Sequence, residues 1–444
     1  MIDPSDNPGV RLQDVLRRNR ESGIGGVYAV CSAHTQVIAA AIQQAIADGS
    51  VLHVESTSSQ VNQFGGYTGQ TPQTFSAWIR RAAQRAGLPA ERVLLGGDHL
   101  GPFPWRSEAA HSALDKGCEL VRACVLSGYQ KIHLDASMAC ADDKKGGLDE
   151  QTVAERAAIL CEAAENAYSE LPSGSPQIVY VVGTEVPAPG GESQGAHAPE
   201  ITTPEHMQGT LGTFQRAFSE RRLMSAWKRV VAIVVQPGVE FGSDLIFDYD
   251  RSKTQSLSAA LVGNDGIVYE AHSTDYQSPK SLKQMVEDHF AILKVGPWLT
   301  FAYREAVLAL AAIEHELFKT NSSVQQSQVR KALEQSMLSN PVHWQSYYRG
   351  DEQEVRRELI YSYSDRCRYY WNEPSVQNEV AKLFDNLAAQ PIPDTLLSQY
   401  LPFEYEAIRE GALEATWEMI VRDHIQRVLR VYSRACGSSK RDVE

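Results

Sequence analysis

The Gly-Gly-Asp-His segment at residues 96–99 is the sharpest chemical motif of this chain. Adjacent side chains of a regular strand point to opposite faces, so Asp98 and His99 would normally diverge. A break at the end of the strand would bring both to one site, with Asp98 moving protons and His99 binding a metal ion. The alternative is a capping aspartate beside a histidine that packs under a loop.

Two more side chains could complete a metal site with His99. Glu185 and His272 each follow an apolar run, and two imidazoles with one carboxylate suit Zn²⁺ and similar ions while leaving a position open for substrate. The alternatives are a buried salt bridge for Glu185 and a hydrogen-bonded core histidine for His272. His133 lies between two apolar residues inside a run, which favours a structural role.

Further polar residues are typical of a site that binds a sugar. Asp135 could orient a ligand histidine or contact hydroxyl groups, or it could cap the following turn. Glu55, Asn62 and Gln63 belong to a segment dense in hydroxyls and amides, which suits a polyol but is also common in ordinary loops. Lys294 could form a Schiff base, although neutralisation of nearby carboxylates is the favoured interpretation.

Two segments offer groups that could bind a phosphate. Ser273, Thr274 and the amides near Gly296 follow the last two apolar runs, where barrels often bind phosphate, but this signal is only positional. Arg366 belongs to a basic, tyrosine-rich segment at residues 361–371. Phosphate binding and a packing role are both open for this arginine.

Eight short apolar runs must position these residues. They are rich in β-branched side chains, which is typical of strands buried on both faces of a parallel sheet. Helix-length spacers separate them, so the pattern predicts a (β/α)8 TIM barrel whose active site lies at the C-terminal strand ends. The runs are residues 26–31, 51–55, 93–99, 131–135, 178–185, 231–236, 267–272 and 291–296.

The pattern changes near residue 319, where strand signals stop. We therefore expect a barrel domain at residues 1–318 that carries the active site, and a helical C-terminal extension at residues 319–444. Within the barrel, the stretch 187–204 is rich in Pro, Gly and Ser and has the length of a lid or binding loop. Helices of the extension are expected at residues 324–337, 352–359, 376–389 and 405–431.

Composition limits the class of protein. A hydrophobic content of 43% over 444 residues supports a large core. The net charge of −13 argues against nucleic acid or an anionic membrane as partner, but a phosphorylated substrate remains compatible with it. Seven cysteines without a Cys-x-x-Cys pair indicate reduced thiols in a cytoplasmic protein, and no stretch is long and apolar enough to span a bilayer.

Several longer motifs resemble one known family, the Z-type subunits of tagatose-1,6-bisphosphate aldolase, over nearly the whole chain. The resemblance implies a TIM barrel related to class II, metal-dependent aldolases. Aldolase members of the family support a separate catalytic subunit, whereas others are similar to tagatose-6-phosphate 4-epimerases that act alone. The motifs are residues 30–34, 62–69, 97–102, 133–138, 183–187, 235–241, 270–276 and 364–371.

The class II aldolase pattern implies roles for individual residues of this chain. The base-and-ligand pair falls on Asp98 and His99, the glutamate on Glu185 and the late histidine on His272. Gln236 stands where a further ligand histidine is expected, and its amide oxygen could replace the imidazole. The implied metal is Zn²⁺ first, with Mn, Mg, Ni or Co as alternatives. The full predicted site comprises catalytic Asp98, Glu185 and Asp135, metal-binding His99, Glu185, Gln236 and His272, and substrate-binding Glu55, Asn62, Gln63, Ser273, Thr274, Lys294 and Arg366.

Two functions remain open after this comparison. The C4 hydrogen of a 2-ketohexose 6-phosphate is not adjacent to the carbonyl, and the chain lacks the GxGxxG turn of a nicotinamide enzyme. A 4-epimerase would therefore break and re-form the C3–C4 bond by retro-aldol and aldol steps. We expect a metal-dependent epimerase of D-tagatose 6-phosphate and D-fructose 6-phosphate; the alternative is a non-catalytic stabilising subunit of class II D-tagatose-1,6-bisphosphate aldolase. The expected partners are a phosphorylated ketohexose, a second copy of the chain in a homo-oligomer and, in the alternative, a catalytic aldolase subunit.

Overall fold

Eight parallel strands form a closed barrel, as the sequence predicts. The computed structural model describes residues 8–144, 147–184, 199–261 and 266–438. Strands that follow one another along the chain are neighbours in the barrel, and the last barrel strand pairs with the first. The barrel strands are β1 Val27–Val30, β2 Leu52–Thr57, β3 Val93–Leu100, β4 Lys131–Leu134, β5 Val179–Val182, β6 Val230–Val234, β9 Val268–Ala271 and β10 Ile292–Val295.

A small hairpin interrupts the alternation after the sixth barrel strand. It consists of the antiparallel strands β7 Glu240–Phe241 and β8 Ile246–Phe247. The helices surround the barrel and then form the extension. They are α1 Pro8–Ser22, α2 Thr35–Asp48, α3 Pro72–Arg85, α4 Ala110–Leu126, α5 Glu150–Ser169, α6 Pro204–Glu220, α7 Met224–Trp227, α8 Arg251–Ala259, α9 Pro279–Glu287, α10 Pro297–Phe318, α11 Val329–Ser339, α12 Glu352–Tyr361, α13 Pro374–Ala388, α14 Asp394–Tyr400, α15 Pro402–Arg409 and α16 Trp417–Ala435.

The barrel interior changes from apolar to ionic along its axis. At one end, Leu12 and Leu16 of α1 belong to a buried apolar cluster with strand residues such as Leu94, Val181 and Ile292. Further along two of the strands the corresponding side chains are charged, because Lys294 stands two residues after Ile292 and Glu270 two residues after Val268. Because side chains alternate between the two faces of a strand, apolar and functional residues share the interior in successive layers.

The C-terminal extension ends by returning to the barrel. Helix α16 packs against α2, α9 and α10, and the Tyr432 hydroxyl donates a hydrogen bond to the Thr274 carbonyl (2.7 Å). The single helix expected at 405–431 is instead two helices, α15 and α16. Gly411 has φ 72° between them and Thr416 caps α16, so the chain turns where helical periodicity alone predicts continuity.

Within the described residues, the helices are all too short or too polar to cross a lipid bilayer.

Candidate active site

A backbone break at the end of β3 brings Asp98 and His99 to the same cavity. The pairing of β3 with β4 shifts register between Gly97 and Leu100, and His99 has φ 50°, a left-handed conformation that is rare for a residue with a side chain. Both side chains line one cavity at the C-terminal ends of the strands. The Gly-Gly-Asp-His segment therefore has the backbone break that lets the side chains of Asp98 and His99 reach the same cavity.

Asp98 is buried among cationic and imidazole groups. Its Oδ1 lies 2.9 Å from Lys294 Nζ and 3.0 Å from His133 Nδ1, and its Oδ2 lies 3.6 Å from His99 Nε2. Burial on its own would raise the pKa of Asp98, but the charges of His99 and Lys294 outweigh it and hold that pKa well below its usual range. Asp98 is therefore ionised at neutral pH and able to accept a proton.

Three histidines meet next to Asp98. The ring centroids of His99, His133 and His272 are 4.9–5.3 Å apart. Asp135 Oδ2 lies 2.8 Å from His99 Nδ1, which fixes the ring and turns its other nitrogen toward Asp98. Burial lowers the pKa of His272 to about 4, so this imidazole is neutral and can act as a ligand at neutral pH.

A buried group that we call the ionic floor lies beneath the histidines and consists of Glu55, Lys131, Glu270 and Lys294. Lys131 Nζ lies 2.8 Å from Glu55 Oε1 and 2.6 Å from Glu270 Oε2. Lys294 contacts Glu55 as well as Asp98. The sequence makes room for this group at Gly96, where a Cβ atom would lie 2.8 Å from Glu55 Cγ.

The ionic floor sets the charge state of Lys294. Burial would lower its pKa, but Asp98, Cys31 and Glu55 raise it well above the usual value. A Schiff base requires a neutral amine, so this environment favours the second interpretation of Lys294, a fixed cation that neutralises carboxylates.

The donor atoms of four side chains converge closely enough to hold a metal ion. Asp98, His133, Glu270 and His272 each offer one atom, all within 4.8 Å of one another. His133 Nδ1 accepts the backbone N–H of His99 (3.2 Å) although it also faces Asp98 Oδ1. Two acceptors in contact favour a proton or a metal ion between them, and mixed imidazole and carboxylate donors suit the divalent transition ions.

A second wall of the cavity comes from the extension. We call Ser364–Tyr370, which includes a short 3-10 turn, the C-terminal roof. Its Arg366, Arg368 and Tyr369 line the same cavity of about 410 Å³ as Asp98, His99, His272 and Lys294. The candidate site is thus lined by the barrel and the extension together.

Comparison with known proteins assigns the chain to a family. The family model described as D-tagatose-1,6-bisphosphate aldolase subunit GatZ/KbaZ-like matches residues 12–437. The chain belongs to this family. The match confirms the resemblance found in the sequence and supports an aldolase-related role in tagatose metabolism.

Solved structures of other proteins also match this GatZ/KbaZ-like chain. A probable tagatose 6 phosphate kinase from Sinorhizobium meliloti 1021 has 40% identity and a TM-score of 0.84, covering 93% of this chain and 100% of the other. The YdjI aldolase from Escherichia coli K12 matches with 10% identity, a TM-score of 0.42 and coverage of 86% and 98%. Fructose-bisphosphate aldolase from Campylobacter jejuni matches with 13% identity, a TM-score of 0.41 and coverage of 86% and 94%.

The residues of this GatZ/KbaZ-like chain that the sequence predicts as metal ligands do not all converge on one point. His272 belongs to the converging set, and His99 lies beside it with its ring held by Asp135. The Gln236 side-chain oxygen accepts the N–H of Gly238 (2.8 Å) within its own loop. Glu185 lies outside the described residues, as does most of the predicted loop at 187–204.

The predicted substrate residues also divide into two groups. Asn62, Ser273, Lys294 and Arg366 line the cavity. Gln63 instead donates to the Lys116 carbonyl (2.9 Å). The Thr274 hydroxyl donates to the Lys294 carbonyl (2.6 Å), which commits it to the backbone.

Glu55, also predicted to bind substrate, lies in the ionic floor with 0% exposure. Its contacts are with Lys131, Lys294 and His53.

Sequence reasoning missed Lys131, Glu270 and Arg368. A usable signal existed for the first two, because Lys131 stands two residues before His133 and Glu270 two residues before His272. Residues at i and i+2 of a strand share a face, so both pairs point into the barrel. Arg368 belongs to the basic segment at residues 361–371, but its position over the barrel mouth depends on how the extension folds back.

Proposed function

We propose that this chain is a metal-dependent epimerase that interconverts D-tagatose 6-phosphate and D-fructose 6-phosphate at C4. The observation that carries the proposal is Asp98, an ionised carboxylate that lies on the cavity wall among three histidines and a fixed lysine cation. This combination suits proton transfer beside a developing negative charge. The aldolase-related family supports the same type of chemistry.

Different side chains are proposed to act in different parts of a retro-aldol and aldol sequence. Asp98 accepts the proton of the C4 hydroxyl as the C3–C4 bond breaks, and returns it when the bond re-forms on the other face of the aldehyde. Lys294 stabilises negative charge on the substrate oxygens as a fixed cation. His133, Glu270 and His272, with His99 adjacent, would hold the divalent ion, which when bound stabilises the enediolate as a Lewis acid.

The roles proposed for the remaining predicted residues are supporting ones. Asp135 holds the His99 ring through the 2.8 Å contact, which makes it a positioning residue. Ser273 and Arg366 line the cavity and are proposed to contact the sugar phosphate. Asn62 also lines the cavity, but its amide binds the backbone of Ser58, Phe64 and Gly66, so its proposed role is to shape this loop. All seven cysteines are free thiols, in keeping with the cytoplasmic location that we propose.

Purified full-length chain incubated with fructose 6-phosphate tests the proposal directly. Zn²⁺, Mn²⁺, Mg²⁺, Ni²⁺ and Co²⁺ should be supplied in separate reactions, with tagatose 6-phosphate as the expected product by chromatography or NMR. Solvent deuterium should not accumulate at C4, because retro-aldol chemistry does not exchange that hydrogen. The absence of tagatose 6-phosphate with every metal would exclude the epimerase.

The alternative function is a stabilising subunit of a D-tagatose-1,6-bisphosphate aldolase, and the family description favours it. In that case the chain alone would be inactive but would bind a catalytic aldolase subunit. Co-expression followed by co-purification, with aldolase activity measured before and after separation, distinguishes the two functions. Size-exclusion chromatography with light scattering of the chain alone tests the homo-oligomer that we expect.

A further inference from the structure

Asp365, in the C-terminal roof, is held in a left-handed backbone conformation. Its φ and ψ are both 46°, a region that costs free energy for a residue with a side chain. The described non-glycine residues with positive φ also include His99 and Ser273, which line the cavity. Strained backbone persists only where the surrounding contacts enforce it, so the conformation of Asp365 requires an anchor.

Two donors on α10 anchor the Asp365 carboxylate. Thr300 Oγ1 donates to its Oδ2 (2.6 Å), and Arg304 Nη1 donates to its Oδ1 (2.9 Å). Because Thr300 and Arg304 stand at positions i and i+4 of the helix, they share one face of it. All three side chains are buried. The roof is thus attached to the helix that directly follows β10, the strand that carries Lys294.

The backbone of Asp365 in turn holds Arg368. The Asp365 carbonyl accepts both the backbone N–H of Arg368 (3.0 Å) and its Nη1 (3.1 Å). Burial raises the pKa of the Asp365 carboxyl, while the charges of Arg304 and Arg368 act against that rise. Arg366, the next residue along the chain, lines the cavity together with Arg368. The place of both roof arginines therefore depends on the conformation of Asp365.

The buried pair of Asp365 and Arg304 is better explained by conformation than by stability. A buried ion pair contributes little net stability compared with apolar residues of similar volume, because both charges must leave water. Its contacts are directional, however, so they favour one arrangement of the chain over others. A wall that binds a ligand needs such support, since its side chains must already be in place when the ligand arrives.

We propose that Asp365, through Thr300 and Arg304, positions the C-terminal roof to bind the phosphate group of the substrate. Asp365 is buried and acts through Arg366 and Arg368, which makes it a positioning residue. This inference rests on the proposed function for the identity of the ligand, a ketose with a phosphate group. It assigns phosphate affinity to an anchor that lies behind the cavity wall.

Three variants of Asp365 separate the anchor from the backbone conformation. Asp365→Ala removes the anchor and disfavours left-handed backbone, Asp365→Gly removes the anchor alone, and Asp365→Asn keeps an acceptor and tolerates this backbone. Calorimetric titration of the full-length protein with inorganic phosphate, fructose and fructose 6-phosphate measures the effect. Asp365→Ala and Asp365→Gly should bind the two phosphate ligands about 10-fold or more weakly and fructose unchanged.

Asp365→Asn is expected to rescue binding of both phosphate ligands to within about threefold of the unchanged protein. Unchanged phosphate affinity in Asp365→Gly would overturn the role of the anchor, because the backbone conformation alone would then suffice. A loss in Asp365→Asn as large as that in Asp365→Ala would also contradict the proposal. Absence of phosphate and fructose 6-phosphate binding in the unchanged protein would overturn it outright.

Glu314→Ala is the matched control. Glu314 is another buried carboxylate that joins α10 to the extension, since it accepts from Ser327 Oγ (2.5 Å) and Asn386 Nδ2 (2.6 Å), and it lies outside the cavity. This variant should lose stability in urea denaturation but keep its phosphate affinity. Equal losses of phosphate affinity in Glu314→Ala and Asp365→Ala would reduce Asp365 to a general structural role and overturn the proposal.

Hydrogen exchange tests the position of the roof without any ligand. The amides of residues 361–371 should exchange faster in Asp365→Ala than in the unchanged protein, whereas Glu314→Ala should leave them protected. Equal protection of this segment in Asp365→Ala would contradict the anchor.

Thr300→Val keeps the test decisive if Asp365→Ala does not fold. It removes one donor, retains the ion pair and should weaken phosphate binding about threefold. Unchanged phosphate binding in Thr300→Val would contradict the anchor. An unchanged protein that binds phosphate but forms no tagatose 6-phosphate would instead defeat the proposed function and leave the role of Asp365 intact.

Discussion

The ionic floor and the C-terminal roof both place cations at the cavity, but they use them in opposite ways. In the floor, Lys131 and Lys294 each contact carboxylates of the same barrel interior. In the roof, Arg368 donates to carbonyls and a hydroxyl, and its charge acts from nearby to lower the pKa values of Asp365 and Asp275. The floor is a network of direct ion pairs, whereas the hydrogen bonds of the roof cation go to neutral groups.

We therefore expect the ionic floor to position the groups that carry out the chemistry, and the C-terminal roof to contact the substrate. A buried ion pair that has all its partners is rigid and fixes the charge state of the groups above it, here Asp98 and the histidines. An arginine whose hydrogen bonds go to neutral groups can still donate to an incoming anion. Changes in the floor should therefore affect chemistry and stability, and changes in the roof should affect substrate binding.

The largest effect is expected when Asp98 is changed. Asp98→Asn keeps the shape of the side chain but removes the proton acceptor, so turnover of fructose 6-phosphate should fall about 1,000-fold or more. Initial rates with the metal that activates best provide the measurement, and circular dichroism checks the fold. Asp115→Asn, at an exposed site, should retain full activity. Activity within tenfold of the unchanged protein in Asp98→Asn would exclude Asp98 as the base.

Removal of metal is expected to abolish activity as well. Exhaustive chelation should leave less than about 1% of the rate, because the enediolate then loses its Lewis acid, and re-addition of the ion should restore it. His133→Ala should also reduce the metal content found by mass spectrometry, since His133 belongs to the converging donor set. Full activity after chelation would remove the metal from the proposal.

Replacement of Lys131 tests whether the floor is a closed network. Lys131→Met should lower the free energy of unfolding by about 3–5 kcal/mol, because the buried Glu55 and Glu270 lose one of their two cations and must share Lys294. Arg368→Met in the roof should cost about 1 kcal/mol, since its partners are neutral. Urea denaturation measures both. Similar losses for the two variants would break the distinction between floor and roof.

A pH effect on stability is expected from His424, which contacts Glu305 and Glu404 outside both the ionic floor and the C-terminal roof. Burial would lower the pKa of His424, but its contacts with Glu305 and Glu404 raise it to about 9. Because the pKa of His424 is higher in the folded state than its unfolded value of about 6.5, its ion pairs stabilise the protein fully below about pH 6.5. This stabilisation is lost as the pH rises through 9. The free energy of unfolding should therefore fall by at most about 3 kcal/mol between these limits.

The matched control for the pH effect is His424→Gln. This variant cannot titrate, so its stability should change less over the same range in urea denaturation. Asp98 and the floor carboxylates remain ionised throughout, since their pKa values lie below the usual range. An identical pH profile in the variant would assign the effect to other groups.

Most of the fold was predictable because its signals are local. Each barrel strand is a short β-branched run, and all eight lie where the sequence predicts them. The boundary between α15 and α16 was not predictable from periodicity, because the turn depends on the left-handed Gly411 and not on a change in hydrophobic spacing.

The site was predictable to a lesser extent. Asp98, His99 and Lys294 lie on the cavity as expected, because they stand at strand ends and the barrel brings those ends together. Gln63 and Thr274 carry suitable groups but bind the backbone of neighbouring segments. Their hydrogen-bond partners lie 53 and 20 residues away, so no local pattern could reveal them.

The sequence by itself determined which residue types stand at the ends of which strands, because alternation and burial are properties of short segments. Tertiary structure alone decided which of them meet. Closure of the barrel joins Lys131 to Glu55 and Glu270, since these residues come from three different strands. The return of the extension brings Arg368 to Asp98 and Asp275 at one cavity, although each lies far from the others along the chain.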